Sequence, residues 1–157
     1  MLLDAGHEVV GIDASSLMVA ECNKRARTVT IVAGDFYEPL PWDDASFDAV
    51  IALHGTLAHP PFEGAHEGLF AEVARVLRPS GLLFFEVPHA GYLPVAAELG
   101  YAVRDSTFVA TDAGSALALA GVAWTAAAWT TLLAPHFTVR QAPAPSPYEC
   151  VFVAVRG

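Results

Sequence analysis

The sequence has few basic residues for its length. Only 8 of its 157 residues are Lys or Arg, against 17 Asp or Glu, which gives a formal net charge of −9. A protein that binds nucleic acid needs a basic surface to displace the counterions of the phosphates. The short basic group of Lys24, Arg25 and Arg27 is too small to form one. The composition therefore excludes nucleic acid as the expected partner.

Cysteine is also scarce. Cys22 and Cys150 lie far apart and in no metal-site spacing, so we expect two free thiols in a reducing compartment and no metal site. Asp4 and Glu8 interrupt the apolar residues of the N-terminus, which is not the pattern of a secretory signal. These observations predict a cytoplasmic protein.

Charge of either sign is absent from residues 115–135, a stretch long enough to cross a bilayer. However, Gly121 and two Trp lie in its middle, and no Lys or Arg cluster flanks it. Leu117 and Leu119 follow a strand period, and Thr125 is suited to cap a helix that runs to Ala134. The run is therefore predicted to be a strand over 116–123 followed by a helix, with no membrane partner.

Apolar patterns of strand and helix type alternate along the rest of the chain. A buried strand is predicted over 8–13, an apolar strand over 47–53, and further strands over 28–33, 82–87, 107–111, 137–141 and 150–156. Helices are predicted from Ser15 or Ser16 to about Ala26, over 65–78 and over 92–99. This alternation is typical of a parallel α/β sheet. The connection 142–148 is too short for a parallel crossover, so the final pair of strands is predicted to be antiparallel.

Two local signals refine this prediction. Gly6 is expected to end a helical turn over residues 1–6, and Asp112-Ala-Gly114 is expected to form a hairpin turn. Leu17, Met18 and Cys22 are expected on the inner side of the first long helix. At this length, we expect residues 1–157 to form a single domain.

Polar side chains follow four of the predicted strands. They are Asp13, Asp35, His54 and His89. Because the carboxyl ends of parallel strands share one edge of the sheet, these residues predict a ligand site there. An ionised carboxylate can accept hydrogen bonds from both hydroxyls of a ribose. Asp13 is equally suited to cap the helix behind it.

The order of these motifs resembles the class I S-adenosylmethionine-dependent methyltransferases, in their small-molecule, type 11-like branch. The similarity covers residues 1 to about 90. It is carried by Gly11-Ile-Asp13-Ala-Ser15, by Ala33-Gly34-Asp35-Phe36, by the segment 41–53 and, most specifically, by Phe70-Ala-Glu-Val-Ala-Arg-Val-Leu-Arg-Pro-Ser-Gly81. The resemblance implies a Rossmann-like sheet, mostly parallel, with an antiparallel last strand.

The resemblance also implies S-adenosylmethionine as the cofactor. Asp13 would hold its ribose, Asp35 the adenine amino group, and Phe36 the face of the adenine ring. Met18 and Leu53 complete the implied cofactor contacts.

For the acceptor side, the resemblance implies a small-molecule methyl acceptor, selected by residues 91–125. His54 and His89 are the candidates to orient or deprotonate it, because an imidazole titrates near neutral pH. His59 is a further candidate for which a loop or surface position is favoured. Glu86 lies in an apolar strand, with its facing undetermined by the sequence.

One element of the family is missing. Its glycine-rich loop lies about 20 residues before the ribose acid, which falls before Met1, and no G-x-G occurs in the chain. We therefore expect a sheet without the first strand: either the true start lies upstream or the shortened chain has an altered function. Strands 8–13 and 47–53 would each lose a neighbour and expose an apolar edge. This predicts a homodimer or a self-associating chain.

Two other functions compete with the methyltransferase. A nicotinamide-dependent Rossmann oxidoreductase also places an acid after its second strand. This alternative does not explain Gly34-Asp35-Phe36, and the sequence contains no Tyr-x-x-x-Lys catalytic pair. A degenerate methyltransferase-like module for binding or dimerisation, without catalysis, would account for the missing loop.

Overall fold

A computed structural model describes residues 2–25, 29–110, 119–144 and 146–157. The chain divides into two compact units, Met1–Leu40 and Pro41–Gly157. The single domain expected over 1–157 stays a prediction.

The first unit is a parallel strand pair with one crossover helix. Its elements are β1 (Val10–Asp13), α1 (Ser16–Arg25) and β2 (Thr30–Ala33). Asp13 lies opposite Ala33 in the parallel ladder, as predicted for an α/β sheet. A 3-10 turn over Leu3–Ala5 precedes β1 and ends, as predicted, at Gly6, whose φ of 83° favours glycine.

This unit is more exposed than the sequence predicts. The prediction of a buried first strand is wrong, since Val10 is 42% exposed and the rest of β1 is half-buried. Leu17 and Met18, expected on the inner side of α1, are 77% and 51% exposed. The reason is Asn23, whose side-chain amide bonds both the N–H and the carbonyl of Ile31 in β2 at 3.0 Å. Leu17 and Met18 lie about 120–140° around the helix from Asn23, so they face away from the strand.

Among its described residues, the second unit has two sheets and three α-helices. Its elements are, in chain order, β3 (Phe47–Ala52), α2 (Ala65–Val76), β4 (Leu77–Pro88), α3 (Leu93–Glu98), β5 (Ala102–Arg104), β6 (Thr107–Ala110), β7 (Leu119–Val122), α4 (Ala126–Leu133), β8 (Phe137–Ala142) and β9 (Glu149–Arg156). One sheet has the order β3-β4-β9-β8 and the other β5-β6-β7. β3 and β4 are parallel, whereas β9 is antiparallel to both β4 and β8, which confirms the antiparallel final pair.

The main core lies on one face of the four-stranded sheet. In β4, alternate residues are buried, as the period of a strand requires. In α2, the buried residues recur at helical spacing, which confirms the predicted apolar face. The largest fully buried side chains include Phe70 of α2, Phe85 of β4, Trp129 of α4 and Phe152 of β9. Their rings contact one another, with Phe85 stacked on Phe152 at a centroid distance of 4.9 Å.

The described part of the charge-free run, residues 119–135, forms a strand and a helix, as predicted. Thr125 caps α4, because its Oγ1 accepts a hydrogen bond from the N–H of Ala128 at 3.2 Å. Among the residues that the structure describes, no helix is both long and apolar enough to cross a membrane.

Residues 91–125 include the small antiparallel sheet, on which α3 packs. Phe108 of β6, Ala96 of α3 and Ala123 form a separate small core. The strand β5 was not predicted because its three residues are all exposed and leave no apolar alternation. The hairpin turn predicted at 112–114 lies outside the described residues.

The start of β4 also differs from the prediction. Leu77 already pairs with Phe47 of β3, so the strand begins at Leu77 rather than Leu82. The segment Arg78-Pro-Ser-Gly81 lies within it as an irregularity: Ser80 has a φ of 63°, and the register shifts between Phe47 and Ala49.

Candidate functional site

Two carboxylates lie at the carboxyl ends of the parallel strands β1 and β2. Oδ1 of Asp13 accepts a hydrogen bond from the N–H of Ser15 at 2.8 Å, and Oδ1 of Asp35 accepts one from the N–H of Tyr37 at 2.9 Å. Within the described ranges, neither Oδ2 has a protein donor. Each acid is thus oriented through one oxygen by a local turn and presents the other as an acceptor.

Gly34 holds the two strand ends close together. Its N–H donates to the carbonyl of Asp13 at 3.1 Å, and a Cβ at Gly34 would lie only 2.9 Å from Cδ1 of Ile12. That carbon is the end of a flexible side chain, so a larger residue could displace it at little cost. The hydrogen bond from the N–H of Gly34 is what keeps the acid that follows it beside the end of β1.

An aromatic pair follows these acids. Phe36 is half-buried, and its ring lies 4.7 Å from that of Tyr37, centroid to centroid. Burial of the Tyr37 hydroxyl, with a smaller contribution from the charge of Asp35, raises the pKa of Tyr37. Tyr37 therefore stays a neutral phenol at physiological pH. The edge of the first unit presents two acceptor carboxylates and one partly exposed ring, a set that fits the ribose hydroxyls, amino group and ring of an adenosine.

The second unit brings two predicted histidines to one edge. His54 and His89 follow the parallel strands β3 and β4, and a Cβ at Gly55 would lie 3.6 Å from Cδ of Pro88. His54 is exposed and has a φ of 56°, uncommon for a residue other than glycine. Leu53, just before it, is 39% exposed.

His89 is fixed as a hydrogen-bond donor. Its Nδ1 accepts the N–H of Gly91 at 3.1 Å, so the proton of the neutral ring lies on Nε2. Its backbone N–H donates to the carbonyl of Tyr148 at 2.7 Å. In this arrangement the Nε2–H of His89 can donate a hydrogen bond to a bound ligand, but Nε2 cannot take up a proton.

His59 has the opposite arrangement. It is half-buried in the loop after β3, and its Nδ1 lies 2.8 Å from the carbonyl of Ala120 in β7. A carbonyl only accepts, so Nδ1 carries the proton and Nε2 of the neutral ring is an acceptor. The ring stands edge-on to Phe108 at a centroid distance of 6.2 Å. A Cβ at Gly121 would lie 3.0 Å from Cε1 of His59, so glycine there leaves room for the imidazole.

His66 was not singled out from the sequence, and it is the buried histidine of the second unit. It is 2% exposed, and its Nε2 donates to the carbonyl of Leu57 at 2.6 Å. Its ring lies 5.1 Å from the ring of Trp124 and 5.1 Å from that of Trp129, centroid to centroid. A signal was present, because His66 precedes Leu69, Phe70 and Val73 by three, four and seven residues, the spacing of the buried face of α2.

Burial of His66 predicts a pH dependence of stability. Desolvation lowers the pKa of His66 below its usual 6.5, although the bond to Leu57 opposes this effect. Below about pH 6.5 the unfolded chain therefore binds the proton first, and the free energy of unfolding falls as the pH falls toward the lowered pKa. Urea denaturation between pH 5 and 8 should show this slope. The slope should be smaller in His66→Phe, and equal slopes in the two proteins would contradict the prediction.

Glu86 faces away from the main core. It is half-buried on the face of β4 opposite Phe85 and pairs with Val151 of β9. In the part of the chain that the structure describes, no group of three or more His, Cys, Asp or Glu could hold a metal ion.

Comparisons with known proteins agree with this architecture. The family model for a methyltransferase domain matches residues 1–85. The demethylmenaquinone methyltransferase of Beutenbergia cavernae is 40% identical over 101 residues, which are 64% of this chain and 40% of that protein. The chain thus spans less than half the length of this curated relative.

Solved structures match almost the whole chain. The PH0226 protein of Pyrococcus horikoshii superposes with a TM-score of 0.84 and 26% identity, covering 99% of this chain and 74% of that one. The glycopeptide N-methyltransferase MtfA, solved with S-adenosylmethionine, has a TM-score of 0.71 and 20% identity over 99% of this chain and 80% of its own. These matches confirm the predicted α/β methyltransferase fold. Because the family model covers more than half of its residues, the chain belongs to the methyltransferase domain family.

Proposed function

We propose that this chain binds S-adenosylmethionine and serves the transfer of its methyl group to a small-molecule acceptor. The observation that carries the proposal is the pair of oriented carboxylates at the ends of β1 and β2, each with an oxygen that no described residue occupies. A ribose and an adenine amino group present hydrogen-bond donors, which these acceptors match.

Different residues of the first unit contact different parts of the cofactor in this proposal. Asp13 accepts from the ribose hydroxyls, Asp35 accepts from the adenine amino group, and Phe36 packs on the adenine ring. The exposed side chain of Met18, in the same unit, supplies an apolar contact. The cofactor provides an electrophilic methyl group on a positively charged sulfur, so the protein mainly contributes orientation and the exclusion of water.

Residues 91–125 are proposed to select the acceptor. Their described part includes the sheet β5-β6-β7, with a small core around Phe108 that is distinct from the main core of the unit. A small-molecule acceptor is supported by the relative from Beutenbergia cavernae, which is named for demethylmenaquinone.

Calorimetric titration with S-adenosylhomocysteine tests the proposal. Saturable binding with one site per chain is the expected result, and NAD should produce no heat of binding. A folded chain that binds neither would support a degenerate binding or dimerisation module instead. Binding of NAD alone would support the oxidoreductase.

We also propose that the chain self-associates through its exposed strand edges. β3 is an edge strand of its sheet, and its Ile51 is 45% exposed. An unpaired apolar edge tends to recruit another strand. Sedimentation velocity should show a species larger than one chain, and Ile51→Lys should reduce it. Leu99→Lys is the matched control, since Leu99 is 66% exposed but lies outside every strand. A monodisperse monomer of the unaltered chain would contradict the proposal.

A further inference from the structure

The three histidines near the ends of β3 and β4 differ in which ring nitrogen can accept a proton. Nδ1 of His89 is engaged as an acceptor by the N–H of Gly91, so its Nε2 carries the proton. His54 is exposed, and no described residue fixes its ring. His59 alone of the three donates through Nδ1 to a backbone carbonyl, that of Ala120.

The surroundings of His59 keep the ring in this state. The carbonyl of Ala120 can only accept, so it holds the proton of the neutral ring on Nδ1 and leaves Nε2 as the acceptor. Phe108 stands edge-on to the ring, and Gly121 leaves the space that it occupies. These contacting residues carry no charge, and the described residues offer no further hydrogen-bond partner to His59.

His59 also links the loop after β3 to the sheet proposed to select the acceptor. It belongs to the loop that follows the carboxyl end of β3, and its partner lies in β7 of the sheet proposed to select the acceptor. A general base must be oriented by a third group and must reach the reacting proton. The carbonyl of Ala120 orients His59, which meets the first condition. The loop that contains His59 follows the carboxyl end of β3, which is where a base could reach the reacting proton.

We infer that His59, rather than His54 or His89, accepts the proton of the methyl acceptor, and that this acceptor reacts through an O–H or N–H group. The inference rests on the proposed methyl transfer. The oxygen or nitrogen forms a bond to the methyl carbon while the carbon–sulfur bond breaks and its electron pair remains on sulfur. The proton of that O–H or N–H moves to Nε2 of His59, which leaves a neutral methylated product and an imidazolium.

A first test measures the ring directly. In the full-length chain labelled with ¹⁵N-histidine, NMR near pH 7.5 should show His59 with its proton on Nδ1 and a bare Nε2, while His89 shows the reverse. Phenol, added with S-adenosylhomocysteine, should shift the Nε2 resonance of His59. Anisole, the methylated form of phenol, lacks the O–H and should not. A proton on Nε2 of His59, or an equal response to phenol and anisole, would overturn the inference.

A second test separates catalysis from a structural role. Asn places its amide N–H near the position of Nδ1 and so retains the donor to Ala120, whereas Gln places its amide near Nε2. His59→Asn should therefore keep the melting temperature and the affinity for S-adenosylhomocysteine. It should lower the transfer of a radiolabelled methyl group to phenol by about 10²–10⁴-fold and remove the acidic limb of the pH–rate profile. Unchanged transfer in His59→Asn would refute the inference.

The two proposals fail in different ways. If the chain does not bind S-adenosylhomocysteine, the proposed function fails, while the protonation of His59 and its response to phenol alone are still measured. If the cofactor binds and methyl transfer survives in His59→Asn, the proposed function stands and the role of His59 is wrong. A fall in melting temperature in His59→Gln alone would show that the bond to Ala120 contributes to stability.

Discussion

Replacing Trp129 with alanine is expected to destabilise the protein by about 3–5 kcal/mol. Trp129 is fully buried in α4, and its ring lies 4.8 Å from that of Trp124 and 5.7 Å from that of Phe85, centroid to centroid. Alanine would remove the largest side chain of the main core, and the helix and sheet around it could close the cavity only in part. Urea denaturation followed by circular dichroism measures the loss.

Two controls define the cause of this effect. Nε1 of Trp129 is buried, and the described residues give it no hydrogen-bond partner, so Trp129→Phe loses no hydrogen bond within this part of the chain and should cost much less than alanine. Thr131→Ala changes an exposed residue of the same helix and should alter stability by less than about 1 kcal/mol. A Trp129→Ala protein as stable as the unaltered chain would show that the main core is not centred on this ring.

Asp13→Asn is expected to weaken the binding of S-adenosylhomocysteine by about 1.5–3 kcal/mol, roughly 10- to 150-fold. Asparagine retains an oxygen that can accept the N–H of Ser15, so the turn before α1 is preserved. The change replaces the charged acceptor Oδ2 by an amide donor, which cannot accept from a ribose hydroxyl. Isothermal titration calorimetry measures the affinity.

Glu8→Gln is the matched control for Asp13→Asn. Glu8 is an exposed acid of the same unit, and its substitution removes the same charge without touching the end of β1. If both variants lose affinity equally, the effect is a general one of net charge. If neither loses affinity, Asp13 serves only to hold the turn before α1 through the N–H of Ser15, and the proposed ribose contact is wrong.

Much of the fold was predictable because its signals are local. The left-handed Gly6, the cap at Thr125 and the apolar spacing of α2 depend on a few consecutive residues, and each is confirmed. The orientation of α1 was not predictable, since it depends on the bond between Asn23 and the backbone of Ile31. The strand β5 was missed because it is held by pairing with β6 and not by an apolar pattern.

The candidate site also has features that depend on nearby residues and features that depend on distant ones. The acids after β1 and β2 could be located from the sequence, because Asp13 and Asp35 are each oriented by a backbone N–H two residues away. Which histidine can accept a proton depends on contacts that form when the chain folds. His59 obtains its acceptor from Ala120, 61 residues later, and His66 becomes buried among rings from α2, α4 and Trp124. The proton on an imidazole follows whichever group faces the other nitrogen, and folding brings that group from a distant part of the chain.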